Sequence, residues 1–520
     1  MSGKLPHARW FILLTILLLW AASAAAEEPI PVLDYLHQRA ARLAADLPSL
    51  PRTKDAWEEV RQETVQKLAV LLRLPDREPM KAEVLSISER DGLVLEEVAC
   101  LWSGRTYLSA TIIRGKEPTG RRPAILMPSG WLGHHTFLPY RNFVEQMARE
   151  GFLVLFIDDP RAGRRHAPYA GLYAAASAAG IPVAGIQVFD ALRGLDYLVT
   201  RDDVDPGKIG IAGLGEGAVQ SYLAAVMEPR LRFVIAVGGT TTWQALAQTA
   251  AAGQSPCDPS ACVPDVFQLG DLGRIAACLA PRPVFIAGPF GAGPAAAEGY
   301  SQTIRTMKAA YRLHDAETRL HEAEGGPSDD MGPYAPDAAG WLRGQVLPSL
   351  PSSDAQPSPC AKPEAADYSL LAAIDRRTDA LAASLPVAPQ SQAAWNEYRE
   401  QTVAWLRKAC GLDGLKPTAD KVVDTTEDGE LVIERILLGI DADFQCPAVL
   451  VHPAASDPQK RVAVVLSHDD RQSAASPRIA EAARKLAAAG CWVAVPEHAS
   501  VDPHSGQPLA RPDARSFYGD

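Results

Sequence analysis

The chain repeats itself, and any fold proposed for it must accommodate the same pattern twice. Residues 42–48 read Arg-Leu-Ala-Ala-Asp-Leu-Pro, and 56–65 read Ala-Trp-Glu-Glu-Val-Arg-Gln-Glu-Thr-Val. Residues 380–386 read Ala-Leu-Ala-Ala-Ser-Leu-Pro, and 394–403 read Ala-Trp-Asn-Glu-Tyr-Arg-Glu-Gln-Thr-Val. At an offset of about 338, Pro-Ala-Ile-Leu-Met-Pro-Ser (123–129) parallels Val-Ala-Val-Val-Leu-Ser-His (462–468). Between the copies, 347–366 is rich in Pro, Ser and Ala and reads as a linker. The expected organisation is therefore a domain over 27–346, a linker over 347–366 and a partial second copy over 367–520.

Each copy opens on an amphipathic helical stretch. In the first, short apolar runs then alternate with helical patterns: Ala124–Met127, Leu153–Ile157, Ile209–Ala212, Phe233–Val237 and Val284–Ala287. Fully apolar strands separated by helices imply an α/β fold with a mostly parallel sheet covered on both faces. The second copy reaches Asp520, the equivalent of about position 181, and so carries the N-terminal half of the pattern. Either the reading frame is a fragment or the first copy covers an open sheet edge. A fragment is expected, because a long unpaired edge invites aggregation.

The first residues read as an export signal. Lys4 and Arg9 precede the apolar run Trp10–Trp20, followed by small residues and then Glu27 and Glu28. This is a basic, apolar and small-residue sequence with cleavage expected after Ala26, which places the mature chain outside the cytoplasm, secreted or periplasmic. The run is too short for a spanning helix, so no stable membrane insertion is expected. Removing Lys4 and Arg9 takes the formal charge from −11 to −13, which disfavours nucleic acid as a partner. Of the eight cysteines, Cys257 and Cys262 lie close enough to suggest a small disulfide staple in an exported chain. No ligand spacing suggests a metal, and no cofactor is implied.

After the run Lys208–Ala212 comes Gly213-Leu214-Gly215-Glu216-Gly217, opening into the helical stretch Ala218–Met227. A strand, a tight glycine-flanked turn and a helix form the elbow on which hydrolases expose a nucleophile, with Ser at the centre of Gly-x-Ser-x-Gly. Here the centre is Gly215. Three further stretches resemble bacterial α/β-hydrolases of the acetyl-xylan-esterase-like and dienelactone-hydrolase-like group. They are Asp190-Ala-Leu-Arg-Gly-Leu-Asp-Tyr-Leu before Val204-Asp205, the turn Asp158-Asp-Pro-Arg161, and the strand Leu279-Ala-Pro-Arg-Pro-Val-Phe-Ile286.

The resemblance implies an α/β-hydrolase fold, a carboxylic-ester substrate such as a carbohydrate ester or another small-molecule ester, and a Ser-acid-His triad. The acid should follow the Pro-Arg-Pro strand, where the chain reads Ala287-Gly-Pro-Phe-Gly291-Ala-Gly-Pro. The histidine should stand in a turn that here reads Gly326-Pro327-Ser328-Asp329. All three roles are vacant, and the expected protein is a catalytically inactive relative. The alternative is an active ester hydrolase with a displaced or partner-completed site.

Weak substitutes are Ser221, one turn into the helix, and Asp159 at a strand end. Packing and turn roles are the duller reading of both. Gly130, Trp131 and the Glu216 amide would form the former oxyanion hole, with His134 and His135 lining it. His321 is expected on or beside the last strand. Ser467-His468-Asp469 falls on the second copy's oxyanion loop, and residues adjacent in sequence do not make a triad. Gly213-x-Gly215-x-x-Ala218 also fits a dinucleotide fingerprint, but the following strand Phe233–Val237 ends without the acid that would hold a ribose.

Overall fold

The computed structural model describes residues 38–496, apart from 44–48, 117–119, 131–134, 137, 166, 247–260, 290, 292, 326–328, 354, 364–366, 385–390, 410–414, 442–443, 456–461 and 466–476. The expected leader, Trp131, His134, Cys257, Ser328 and Ser467–Asp469 lie outside the described residues. The Cys257–Cys262 pair is therefore not described either. Among the described residues no single helix is long and apolar enough to cross a membrane. The chain divides into two compact units, Arg39–Pro386 and a second that holds Val387–Asp520.

The first unit begins with α1 (Lys54–Leu72), then β1 (Ala82–Arg90), β2 (Leu93–Ser103), β3 (Thr106–Gly115) and β4 (Arg122–Pro128). It continues with α2 (Leu138–Arg149), β5 (Leu153–Ile157), α3 (Tyr169–Ala178), α4 (Val183–Leu198) and β6 (Val204–Leu214). Then follow α5 (Glu216–Met227), β7 (Val234–Thr240), α6 (Leu272–Ala277), β8 (Val284–Pro289), α7 (Pro294–Leu313), β9 (Leu320–Glu322) and α8 (Ala335–Trp341). The sheet order is β1-β2-β3-β5-β4-β6-β7-β8-β9. β3 runs antiparallel to both β2 and β5, whereas the strands from β5 to β9 are mutually parallel.

Successive residues of each parallel strand point to opposite faces, so both faces must be apolar and covered. One layer packs Leu126, Leu155 and Ile211 against α1, α4 and α5; the other packs Ile125, Phe156 and Phe285 against α2 and α8. Trp57, Leu68 and Leu72 bury one stripe of α1. Each such side chain contributes about 1.5–3 kcal/mol through burial.

The Asp190–Tyr197 stretch that marks the family resemblance is structural here. Arg193 donates from Nε to the Leu101 carbonyl (2.7 Å) and from Nη1 to the Glu78 carbonyl (2.9 Å) and Asp196 (2.9 Å). Asp190 pairs with Arg165, and both side chains are almost fully buried.

Residues 347–366 do not leave the first unit as a free linker. The Ser353 amide donates to Asp205 Oδ1 (3.1 Å), and Arg121 Nη1 donates to the carbonyls of Ser353 and Ala355. The Ser358 amide donates to the Val199 carbonyl. Ala361 and Asp367 make isolated bridges to Lys81 and Thr106. α9 (Leu370–Ser384) follows, with Leu370 and Ile374 in the core. An extended Pro- and Ser-rich backbone still has amides and carbonyls that need partners, and this one finds them along the domain surface. The unit accordingly extends to Pro386, forty residues beyond the expected end at 346.

The second unit contains α10 (Gln392–Ala409), β10 (Lys421–Asp428), β11 (Leu431–Asp441), β12 (Phe444–Pro453), β13 (Val462–Val465), α11 (Pro477–Ala488) and β14 (Cys491–Pro496). Its sheet order, β10-β11-β12-β14-β13, reproduces β1-β2-β3-β5-β4. The β1–β2 register shifts between Val84 and Ser86, and β10–β11 shifts between Val422 and Asp424. The β2–β3 shift at Leu101/Ser103 is matched by one at Gly439/Asp441. All four bulge positions are related by 338. The core of this unit lies between Ile433, Val449, Val451 and Val493 of the sheet and Ala480, Ala483 and Ala487 of α11.

Candidate active site: a glycine elbow

Gly215 stands between β6 and α5 with φ 57° and ψ −120°. This is a conformation that L side chains adopt only under strain, and glycine adopts it without a Cβ clash. The turn is anchored by the Gly215 amide, which donates to the Val237 carbonyl at 2.9 Å, and by the Gly215 carbonyl, which accepts from Ala218 at 3.0 Å. Close approach explains the flanking glycines. A Cβ on Gly213 would stand 2.1 Å from the Gly217 carbonyl oxygen, and one on Gly217 would stand 2.9 Å from the Pro128 oxygen. Gly130 completes the contact between the end of β4 and this turn; its added Cβ would lie 2.7 Å from the Gly217 amide. Gly215 and Glu216 are half-buried between fully buried neighbours, so the tip of the elbow reaches the surface.

Other side chains near the turn are already engaged. Ser221 is fully buried and donates to the Gly217 carbonyl at 2.7 Å, which leaves no exposed hydroxyl to attack a substrate. Asp159, at the end of β5, is 2% exposed. Its carboxylate accepts from Arg161 Nε (2.6 Å), Nη2 (3.0 Å) and amide (2.8 Å), and from Gln187 Nε2 (3.2 Å). Gln220 of α5 in turn donates to Gln187 at 2.7 Å. Asp158 accepts from Ser109 at 2.8 Å. These are turn- and core-fixing roles. Tyr140 donates to the Ser129 carbonyl. Burial above all, and then the negative charges of Glu216 and Asp159, push its phenol well above the ordinary range. His135 lies edge-on to Phe156, with ring centroids 6.2 Å apart.

Gly288 near the end of β8, and Gly291 and Gly293 in the β8–α7 connection where an acid would stand, are at positive φ. No carboxylate occurs in the sequence there before Glu298. His321 is on β9, stacked on Phe285 with centroids 4.9 Å apart, and its Nε2 lies 3.1 Å from Asp337 Oδ2 at the first turn of α8. This His–carboxylate pair was not foreseen from the sequence, because its members are sixteen residues apart and only the strand–helix packing joins them. It borders a cavity of about 590 Å³ lined by Glu322, Glu324, Tyr334 and Asp337 among others.

A mostly parallel sheet in which β1 and β3 run antiparallel to the rest, and a glycine elbow between β6 and α5, define the first unit as an α/β-hydrolase fold. No family model matches the chain. A curated relative, "Putative hydrolase YtaP" of Bacillus subtilis (strain 168), is 26% identical over 182 residues, covering 33% of this chain and 61% of that protein. The chain thus spans about three fifths of the length of that relative. Similar solved structures include a methylesterase, BT1017 (20% identity, TM-score 0.45, 63% of this chain and 71% of that one). A glucuronoyl esterase from Solibacter usitatus has 15% identity and a TM-score of 0.43 over 57% and 97% of the two chains. An acetyl xylan esterase from Paenibacillus sp. R4 has 16% identity and a TM-score of 0.37 over 57% and 96%.

Proposed function

We propose that the first unit is an exported relative of carboxylic-ester hydrolases that binds a small carboxylate or carbohydrate ester at the elbow without hydrolysing it. Gly215 carries this reading. Acyl transfer through a hydrolase elbow needs a side-chain nucleophile, a base to take its proton and a group that orients the base. Glycine supplies no attacking atom, the loop after β8 carries no carboxylate in its sequence, and the loop after β9 carries no histidine. What the site retains is backbone. The start of α5 lies at the positive end of the helix dipole, beside Gly130. Such a site suits an anionic or carbonyl oxygen. The leader-like residues 1–26 support export.

The test is hydrolysis of p-nitrophenyl acetate and acetylated xylo-oligosaccharides by the purified chain, together with thermal shift on adding acetate or glucuronate. Rates at the buffer level with a ligand-dependent shift are expected. Turnover abolished by Ser129→Ala or Ser221→Ala would overturn the reading and identify a displaced nucleophile.

A further inference from the structure

We propose that Arg165 binds a small carboxylate, of the size of acetate, at a site within the first unit that is separate from the elbow. Arg165 stands on the β5–α3 connection. The backbone there is fixed by the Ala162 amide, which donates to the Asp159 carbonyl (2.8 Å), and by the Ala167 amide, which donates to the Pro160 carbonyl (3.0 Å). The Arg165 side chain is wholly buried, and its Nη1 donates to Asp190 Oδ2 at 2.5 Å. Nε and Nη2, on the other edge of the guanidinium, are buried and have no hydrogen-bond partner among the described residues. A buried N–H without an acceptor has given up its water for nothing, so such a group calls for an occupant.

Arg193 shows how the same core satisfies an arginine that serves structure alone. Its Nε and Nη1 reach the Leu101 and Glu78 carbonyls and Asp196, and its Nη2 reaches the Met80 sulfur. Among the described residues, no arginine other than Arg165 buries two nitrogens without a partner. Asp190 Oδ1 and Trp102 Nε1 are also buried without a hydrogen bond of regular geometry. They are an acceptor and a donor, however, and they face each other: burial raises the Asp190 carboxyl, and Arg165 and the Trp102 indole oppose that rise. What remains is a surplus of donors on one edge of one cation.

Donors in surplus select a group that only accepts. The N–H bonds of Nε and Nη2 run parallel along that edge and match both oxygens of a carboxylate, which they hold more strongly than a neutral carbonyl or a water. Asp159, whose charge also bears on Asp190, does not fill this role, because Arg161 and Gln187 take up its oxygens. Size limits the ligand: Trp102, Gln187 and Asp190 are each 4% exposed or less. The inference does not depend on ligand binding at the elbow.

Isothermal titration of the whole chain with acetate should reveal this site with a Kd of about 1 mM. Arg165→Lys keeps a positive charge beside Asp190 but lacks the parallel edge, and it should weaken the site at least about tenfold while the chain still melts cooperatively. Should that variant fail to fold, Arg165→Met combined with Asp190→Leu removes the fork without leaving a buried charge, and it should abolish the same site. The elbow is counted separately. Two acetate sites, one of them removed by Arg165→Lys, support both readings; a lone site lost in Arg165→Lys supports this one and overturns acetate binding at the elbow. Acetate binding unchanged by Arg165→Lys, or no binding at all, overturns the proposal. So does a crystal structure grown in acetate that shows an ordered water only at Nε and Nη2.

Discussion

The carbonyl oxygen of Pro351 rests against the backbone of Gly207, 2.3 Å from where a Cβ on that glycine would stand. The strap that follows the last helix of the sheet domain is therefore seated in a fitted position. Truncation after residue 346 removes this contact, the Ser353–Asp205 hydrogen bond and the buried Leu370 and Ile374. Residues 39–386 are expected to fold as a soluble unit, whereas 39–346 should melt lower and bind hydrophobic dyes. Gly207→Ala should cost about 1–3 kcal/mol by overpacking. Denaturant melts of these three proteins check the expectation.

Gly215→Ser should destabilise the first unit by about 1–3 kcal/mol, because the elbow conformation strains any L residue. It should add little esterase activity, since the sequence has no carboxylate between Ala287 and Pro294 and no histidine between Ala323 and Tyr334 to activate the new hydroxyl. Melting temperature and an acyl burst with an activated ester are the measurements. A brisk burst would show that a base had been overlooked.

Arg165 and Asp190 form an almost wholly buried ion pair. Burial raises the Asp190 carboxyl above its ordinary value, and the Arg165 charge opposes that rise. Asp190→Ala leaves a buried guanidinium without its counter-charge and should cost about 3–5 kcal/mol. Replacing both residues by apolar ones should recover much of that loss, which a double-mutant cycle by urea melts would reveal.

Glu228 follows α5 and accepts from Arg77 (2.9 Å) and Arg230 (2.7 Å). Burial alone would raise its carboxyl, but these hydrogen bonds outweigh burial and hold it at about 2. A carboxyl depressed on folding contributes stability that is complete above its unfolded value near 4.5 and disappears as pH falls towards 2. Glu228→Gln should therefore lower stability at neutral pH and flatten the acid limb between these values. Melts at pH 7, 4 and 2.5 test both the sign and the window.

Much of this arrangement could be read from residues alone where a local rule governs. Ala124–Met127 and Leu153–Ile157 are apolar on both faces, and they became the central strands. Gly213, Gly215 and Gly217 marked the turn because only small residues allow a strand to reverse into a helix so closely. The strap escaped because Pro and Ser are common both in free linkers and in extended segments held by backbone hydrogen bonds. The His321–Asp337 pair escaped because it depends on how β9 meets α8. The Asp190–Tyr197 stretch marked the family resemblance, but packing now accounts for it: its charges close buried hydrogen bonds around α4.

A β-bulge changes which side of the sheet every later residue faces. Because the shifts at Val84/Ser86 and Leu101/Ser103 recur 338 positions later, the two meanders remain in phase, inward for inward and outward for outward. The molecule thus contains its own matched control. A substitution on β2 and its counterpart on β11 alter equivalent sites in two settings within one chain. Comparing them within a single polypeptide separates the contribution of the meander itself from that of the surrounding domain, under identical solvent, concentration and temperature.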